Sequence, residues 1–235
     1  MPQVLVTGAN RGLGLEFVRQ YAQAGWSVHA CCRDPESASE LRELANASNV
    51  LLHKLDVDDF GAIKALADQL GGEPIDLLLN NAGLFGPKIQ ADGDKRQSFG
   101  HVDYTIWDTL LRVNTMAPLH MAECFVEHVA ASEQKKIVAL TSIMGSIADT
   151  SGGLYAYRSS KAALNMVMAS LAHDLAPRGI AVSVFCPGWV KTAMGGPQAS
   201  IEPEVSIAGL RERIAEMRPA VPISFRRYND DELAW

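Results

Sequence analysis

Val4-Leu5-Val6-Thr7-Gly8-Ala9-Asn10-Arg11-Gly12-Leu13-Gly14 is the stretch whose reading decides the architecture. A short β-prone run, Val4–Thr7, enters a turn with three glycines, and an amphipathic helical pattern follows from Gly14 to about Ala24. Strand, glycine-rich turn and helix in direct succession make the first unit of an alternating α/β chain. Such a turn lets the backbone bend tightly and approach a ligand, and the helix behind it presents free N–H groups and a favourable dipole to a phosphate. The spacing here is Gly-x-x-x-Gly-x-Gly. Glycine also serves tight strand–helix turns for purely structural reasons, so the turn by itself leaves both readings open.

The same alternation continues outward. Further strand patterns lie at Ser27–Cys31, Val50–Leu55, Ile75–Leu79, Lys136–Thr141 and Ala181–Phe185. Helical patterns separate them at about Pro35–Ala45, Asp58–Leu70, Asp103–Ala131 and Tyr155–Ala176, the last stopped by Pro177-Arg178-Gly179. The Lys136 run is almost continuously apolar, as expected of a strand covered on both faces. Alternation of this kind predicts an α/β fold, a doubly wound (Rossmann-type) parallel sheet with helices on both faces. Ligands of such sheets sit outside the carboxyl ends of the strands, where strand order reverses. No linker or repeat divides the 235 residues, which predicts a single domain over 1–235. Residues 84–102 read as a surface loop, and residues 188–222 as a substrate loop carrying one helix at about Glu204–Met217.

Bulk properties narrow the function classes. The net charge is −6, which argues against nucleic acid and anionic membranes as partners. Cys31, Cys32, Cys124 and Cys186 show neither metal spacing nor a CxxC pair, and the six histidines are scattered, so no metal is expected. The opening Met-Pro-Gln-Val-Leu-Val has no basic n-region or apolar h-region, and no run is long enough to span a bilayer. The expectation is a cytoplasmic protein with reduced thiols.

The second βα unit speaks to the choice of nucleotide. An acidic residue at the end of that strand would hold a ribose 2′-hydroxyl, whereas arginine suits a 2′-phosphate. Here the strand ends Ala30-Cys31-Cys32 and Arg33 follows, with Arg11 available in the glycine turn. Two guanidiniums favour NADPH over NADH, because each can make charge-assisted paired contacts to a dianion. The plain alternative is two solvated arginines, with Asp34 partly neutralising Arg33.

Six motifs now stand in order: Thr7-Gly8-x-x-x-Gly12-x-Gly14, Asn80-Asn81-Ala82-Gly83, Asn114, Ser142, Tyr157-x-x-x-Lys161 and Pro187-Gly188-x-Val190-x-Thr192. Together they resemble the short-chain dehydrogenase/reductase family over nearly the whole chain, and look most like its C-factor/carbonyl-reductase-like branch. The resemblance implies a catalytic set of Asn114, Ser142, Tyr157 and Lys161. It implies cofactor contacts from Gly8, Asn10, Arg11, Gly12, Leu13 and Gly14, from Arg33, Asp56 and Val57, and from Asn81, Ala82 and Gly83. Tyr157 and Lys161 join these contacts, as do Pro187, Gly188, Val190 and Thr192.

The chemistry suits those residue types. Reducing a carbonyl takes a hydride on carbon and a proton on oxygen, and the nucleotide supplies only the hydride. Tyrosine ordinarily titrates near 10, and a neighbouring ammonium lowers that value by stabilising the phenolate. Tyr157 and Lys161, four apart, share a helix face. By resemblance, Lys161 also holds the nicotinamide ribose and Asn114 organises a water in a proton relay behind it. Ser142 would donate a hydrogen bond to the substrate oxygen. Tyr155 competes with Tyr157, since it lies 13 residues after Ser142, but Tyr155 plus four is Ser159. Ser146 competes less well with Ser142, which follows its strand directly.

Ile143, Met144, Trp189 and Met194 suggest an apolar pocket for a ketone, aldehyde or alcohol, although core packing explains them equally. Apolar surplus on the two long helices hints at a subunit contact, and the resemblance implies a homodimer or homotetramer. The branch also raises an alternative, an NADP(H)-binding signalling or sensor protein with secondary catalysis. The tail, charged and then Leu233-Ala234-Trp235, predicts docking on the domain or on a neighbouring subunit.

Overall fold

A computed structural model of the chain describes residues 1–88 and 93–235. Seven strands form one parallel sheet: β1 (Gln3–Thr7), β2 (Ser27–Cys32), β3 (Val50–Lys54), β4 (Leu77–Asn80), β5 (Lys136–Leu140), β6 (Ala181–Cys186) and β7 (Phe225–Arg227), in the order β3-β2-β1-β4-β5-β6-β7. Between them run α1 (Gly12–Gln23), α2 (Ser39–Ala47), α3 (Phe60–Leu70), α4 (Tyr104–Leu111), α5 (Ala117–Ala130), α6 (Tyr155–Leu175) and α7 (Pro203–Glu216). The order reverses between β1 and β4, so the carboxyl ends of those strands flank the crevice where a ligand is expected.

The apolar runs become strands because both sheet faces are covered. Leu5, Leu78 and Ile137 point into one core with α3, α5 and α6, while their neighbours Val4, Val6, Leu77, Leu79 and Val138 point into the other with α1 and α7. All of these are fully buried. Each such side chain stabilises the fold by about 1.5–3 kcal/mol relative to an exposed one. Asp59 caps α3 by accepting from the Ala62 N–H at 3.0 Å, and left-handed Gly71 closes that helix. Asp103 caps α4 through the Thr105 and Ile106 N–H groups. These caps fix the entry of each helix at the expected place.

Four departures from the sequence pattern have physical causes. The predicted helix over 103–131 is interrupted, because Arg112–Met116 is a turn of π-helix between α4 and α5. Helix α2 begins at Ser39 rather than Pro35, since Ser37 Oγ donates to the Asp34 carbonyl and holds a turn there. The seventh strand pairs Phe225 with Val184 and Arg227 with Cys186 at the sheet edge, and has no continuous apolar run. Behind it the tail folds back: the Leu233 N–H donates to Phe225, Leu233 is buried in the core, and Trp235 packs on Phe225 at 5.4 Å. The stretch 84–102 is not simply a surface loop: Leu84 and Phe85 are half-buried and Gln97 is 1% exposed, while residues 89–92 lie outside the described ones.

Candidate active site

The glycine turn is shaped by what a side chain would strike. Gly8 and Gly12 have φ of 67° and 55°, in the left-handed region. Gly14 is helical, but a Cβ there would stand 2.1 Å from the Gly8 carbonyl oxygen, so α1 reaches the turn only without one. Arg11 is the N-cap of α1 and is extended, with no side-chain cap and no acidic residue in the first turn. The first N–H groups of the helix are therefore left for an external anion. Leu13 is half-buried behind them. The cradle and the uncapped helix end fit a dinucleotide pyrophosphate.

The strand ends lock this turn in place. The Asn81 side chain donates to the carbonyls of Thr7 (2.8 Å) and Gly8 (3.2 Å), while Thr7 Oγ1 accepts from the N–H groups of Asn81 and Ala82. The Ala9 N–H donates to Cys31, tying the turn to β2. Asn10, Arg11 and Arg33 are exposed, and neither guanidinium has an ion pair or hydrogen bond among the described residues; Asp34 does not pair with Arg33. Asp56 is exposed just after β3, with Val57 buried beside it. Across the cleft, a Cβ on Gly12 would touch Thr192 at 3.4 Å, so the segment from Pro187 to Thr192 faces the glycine turn. Val190 is buried and pairs with Ile201, and left-handed Gly188 opens the bend after β6.

Ser142, Tyr157 and Lys161 converge at the end of β5. Ser142 caps a 3₁₀ turn, Ile143–Gly145, and its hydroxyl lies in hydrogen-bonding contact with the Tyr157 phenol. Gly145 allows that turn to sit on α6, since a Cβ there would lie 2.9 Å from the Lys161 carbonyl carbon. Lys161 Nζ donates to the Leu140 carbonyl at 2.9 Å and stands 6.0 Å from the Tyr157 ring centroid. Asn114 lies in the π turn and is fully buried. Its amide accepts from the Leu84 N–H and donates to the Leu84 carbonyl and Ser160 Oγ, all at 2.8–2.9 Å. Asn114 Oδ1 and Lys161 Nζ both approach Gly83, where a Cβ would meet them at 3.2 and 3.6 Å. The two competing residues point elsewhere. Tyr155 is exposed beside Phe99, and Ser146 is occupied by Asp149 and the Trp235 carbonyl.

The electrostatics correct one expectation. Tyr157 is not lowered by its lysine but pushed up to about 12, because burial of the phenol outweighs the hydrogen bond from Ser142. Lys161 is lowered to about 8, again by burial. Beneath both, the Cys186 thiol accepts from the Ile143 N–H at 3.3 Å and is raised by burial. Both side chains thus sit in low-dielectric surroundings, where charge is costly without a partner.

Several residues here had no sequence signal. Phe85 lies against Tyr157, with ring centroids 4.4 Å apart, and Gln97 bonds both Phe85 and the Tyr157 backbone. Lys88 stands over the Phe85 ring and donates to the Met194 carbonyl, spanning the mouth between the two loops. Of the four apolar candidates, Met144 packs beside Tyr157 and Ile143 on the main core, while Trp189 and Met194 are exposed. Among the described residues no group of three or more His, Cys, Asp or Glu could hold a metal, and no helix is long and apolar enough to cross a membrane.

Comparison with known proteins agrees with this geometry. A family model described as short chain dehydrogenase matches residues 2–202. C-signal of Myxococcus xanthus is 34% identical over 174 residues, 74% of this chain and all of that protein. Among solved structures, the NADPH-bound carbonyl reductase from chicken fatty liver superposes with a TM-score of 0.89 at 30% identity, over 100% of this chain and 99% of that one. The carbonyl reductase Sniffer of D. melanogaster gives 0.85 at 30% identity, over the whole of both chains.

Proposed function

Because this chain belongs to the short-chain dehydrogenase family, we propose that it is an NADPH-dependent reductase of ketones or aldehydes, with Tyr157 as proton donor. The observation that carries the reading is the convergence of Ser142, Tyr157 and Lys161 at the end of β5, across the crevice from a glycine cradle fitted to a pyrophosphate. When bound, the nucleotide supplies the hydride that goes to the carbonyl carbon. Ser142 donates a hydrogen bond to the carbonyl oxygen and holds it beside the phenol. Tyr157 passes its proton to that oxygen as negative charge develops there, and so becomes a phenolate. Lys161, protonated at neutral pH, stabilises the phenolate electrostatically and replenishes its proton. Asn114 holds Leu84 and Ser160, keeping Gly83 and the lysine in register.

Gly8, Asn10, Arg11, Gly12, Leu13 and Gly14 form the pyrophosphate end, with Arg11 and Arg33 meeting a 2′-phosphate. Asp56 and Val57 border the adenine, and Asn81, Ala82 and Gly83 give it a backbone wall. Pro187, Gly188, Val190 and Thr192 flank the nicotinamide. NADPH is supported by the two exposed, unpaired guanidiniums and by the NADPH held in the chicken carbonyl reductase. The apolar surface of Met144, Trp189 and Met194 fits a hydrophobic substrate. Exposed Met116, at the end of the π turn before α5, and exposed Met166 on α6 support a homo-oligomer.

Titration with NADPH and with NADH, followed by absorbance at 340 nm against a carbonyl panel, tests the reading. Tighter NADPH binding with turnover of a panel member is expected. Tight binding with no turnover would favour a sensor, the reading that similarity to C-signal raises. Binding of neither nucleotide would contradict both.

A further inference from the structure

We propose that Gln97 is a positioning residue for Tyr157, clamping the start of α6 to the Phe85–Pro87 segment that packs on the phenol. The inference rests on the reductase reading above for its kinetic consequences, but its geometry stands alone.

Helix α6 starts without a cap of its own. Leu154, its N-cap, is left-handed with φ 48° and supplies no side-chain bond. The first N–H groups of a helix have no partner within it. Gln97, distant in sequence, supplies two of the missing acceptors. Its backbone carbonyl accepts from the Tyr155 N–H at 3.1 Å, and its side-chain Oε1 accepts from the Tyr157 N–H at 2.9 Å. The other end of the same amide is also fully used. Nε2 donates to the Phe85 carbonyl at 2.8 Å and the Pro87 carbonyl at 2.9 Å. The orientation of the amide is therefore fixed, since turning it over would set Nε2 against an N–H and Oε1 against two carbonyls.

What Gln97 joins matters more than the bond count. The Phe85 ring lies 4.4 Å from the Tyr157 ring, centroid to centroid. Holding the Phe85 backbone and the Tyr157 backbone with one amide fixes the phenol from both sides. Gly86 admits the clamp, being left-handed and leaving only 2.9 Å between a notional Cβ and Gln97 Nε2. Gln97 is 1% exposed, so water cannot replace either set of bonds. Only a side chain with an acceptor and two donors at that length satisfies all three partners. Methionine fills the space without any of them, and glutamate keeps the acceptor but turns a charge toward two carbonyls.

The experiment compares the full-length wild type with Gln97→Met and Gln97→Glu, measuring nucleotide Kd, kcat and KM across pH, and unfolding midpoints. Gln97→Met is expected to lower kcat roughly tenfold or more, because small misplacements of a reacting group are costly. Nucleotide Kd should stay within about twofold, since Gln97 touches none of the glycine turn. Gln97→Glu should be equally slow when ionised and recover partly as pH falls. Protonation restores one donor, creating an acidic-side dependence that the wild type lacks. A kcat and pH profile matching wild type per folded enzyme, even with a lowered midpoint, would show a merely structural glutamine and overturn the proposal. If the wild type itself turns over no carbonyl, the reductase reading fails separately. Amide hydrogen exchange then decides the clamp: faster exchange at Tyr157 in Gln97→Met supports it, and unchanged protection overturns it.

Discussion

Replacing Gly145 by alanine tests how closely the Ser142 turn must sit on the helix that carries Tyr157 and Lys161. The glycine is buried, and an added Cβ would lie 2.9 Å from the Lys161 carbonyl carbon, 3.0 Å from Lys161 Cβ and 3.1 Å from the Ala162 nitrogen. These atoms belong to the body of α6 and cannot rotate away. Relief to an ordinary contact demands a displacement of about half an ångström, which falls on the three-residue turn. Overpacking of this kind costs about 1–3 kcal/mol. In a chain of this size each kcal/mol lowers the melting temperature by about 2–4 °C. Because the Ser142 backbone carbonyl accepts from the Gly145 N–H at 2.8 Å, the same displacement carries the Ser142 hydroxyl away from the phenol. Loss of one donor at the developing oxyanion then lowers kcat about tenfold or more. Thermal unfolding and steady-state carbonyl reduction at saturating NADPH read the two effects separately. A Gly145→Ala protein with wild-type kcat and wild-type melting temperature would refute the claim that this contact sets the site.

Three further outcomes follow from the same geometry. Lys161 is lowered from its ordinary value to about 8 by burial, so the ammonium is present below that pH and lost above it; kcat/KM for reduction should be flat at neutral pH and fall as pH rises through about 8, and a flat profile to pH 10 would contradict this. Asn114→Ala strands the Leu84 N–H and carbonyl, while the Ser160 hydroxyl keeps its bond to the Tyr157 carbonyl at 2.8 Å; urea unfolding should show a loss of about 2 kcal/mol or more, at about 1–3 kcal/mol for each buried group left unpaired, and a loss below about 1 kcal/mol would contradict it. Arg33→Ala should weaken NADPH about tenfold while leaving NADH nearly unchanged, read by fluorescence titration, since one charge-assisted contact contributes about 1.5–3 kcal/mol; equal weakening of both would remove the 2′-phosphate role.

Much of the fold was legible because the sheet is covered on both faces. Val4–Thr7 and Lys136–Leu140 announce themselves as apolar runs, and the glycines after β1 announce a tight strand–helix turn. Phe225–Arg227 was not legible, because a three-residue edge strand with two arginines needs neither apolar faces nor length. The π turn at Arg112–Met116 has no pattern of its own, since one extra residue in a helix changes no residue type. Within the site, the lysine four residues on picks Tyr157 over Tyr155, and the structure then buries the first and exposes the second. The direction of the Tyr157 shift could not be read from that spacing. Four residues on a helix bring Lys161 near, but burial of the phenol depends on Phe85, Leu110 and Met144, which come from distant parts of the chain. Gln97 was hidden for the same reason, as a polar residue in a polar segment that only tertiary packing buries.

The most direct test of the central claim is single-turnover reduction by Tyr157→Phe, with NADPH affinity measured on the same preparation. Hydride transfer to a carbonyl substrate should fall by several orders of magnitude while NADPH Kd stays within about twofold, because only the proton donor has been removed. Turnover at the wild-type rate with intact NADPH binding would contradict it, and would move the proton donor to another group.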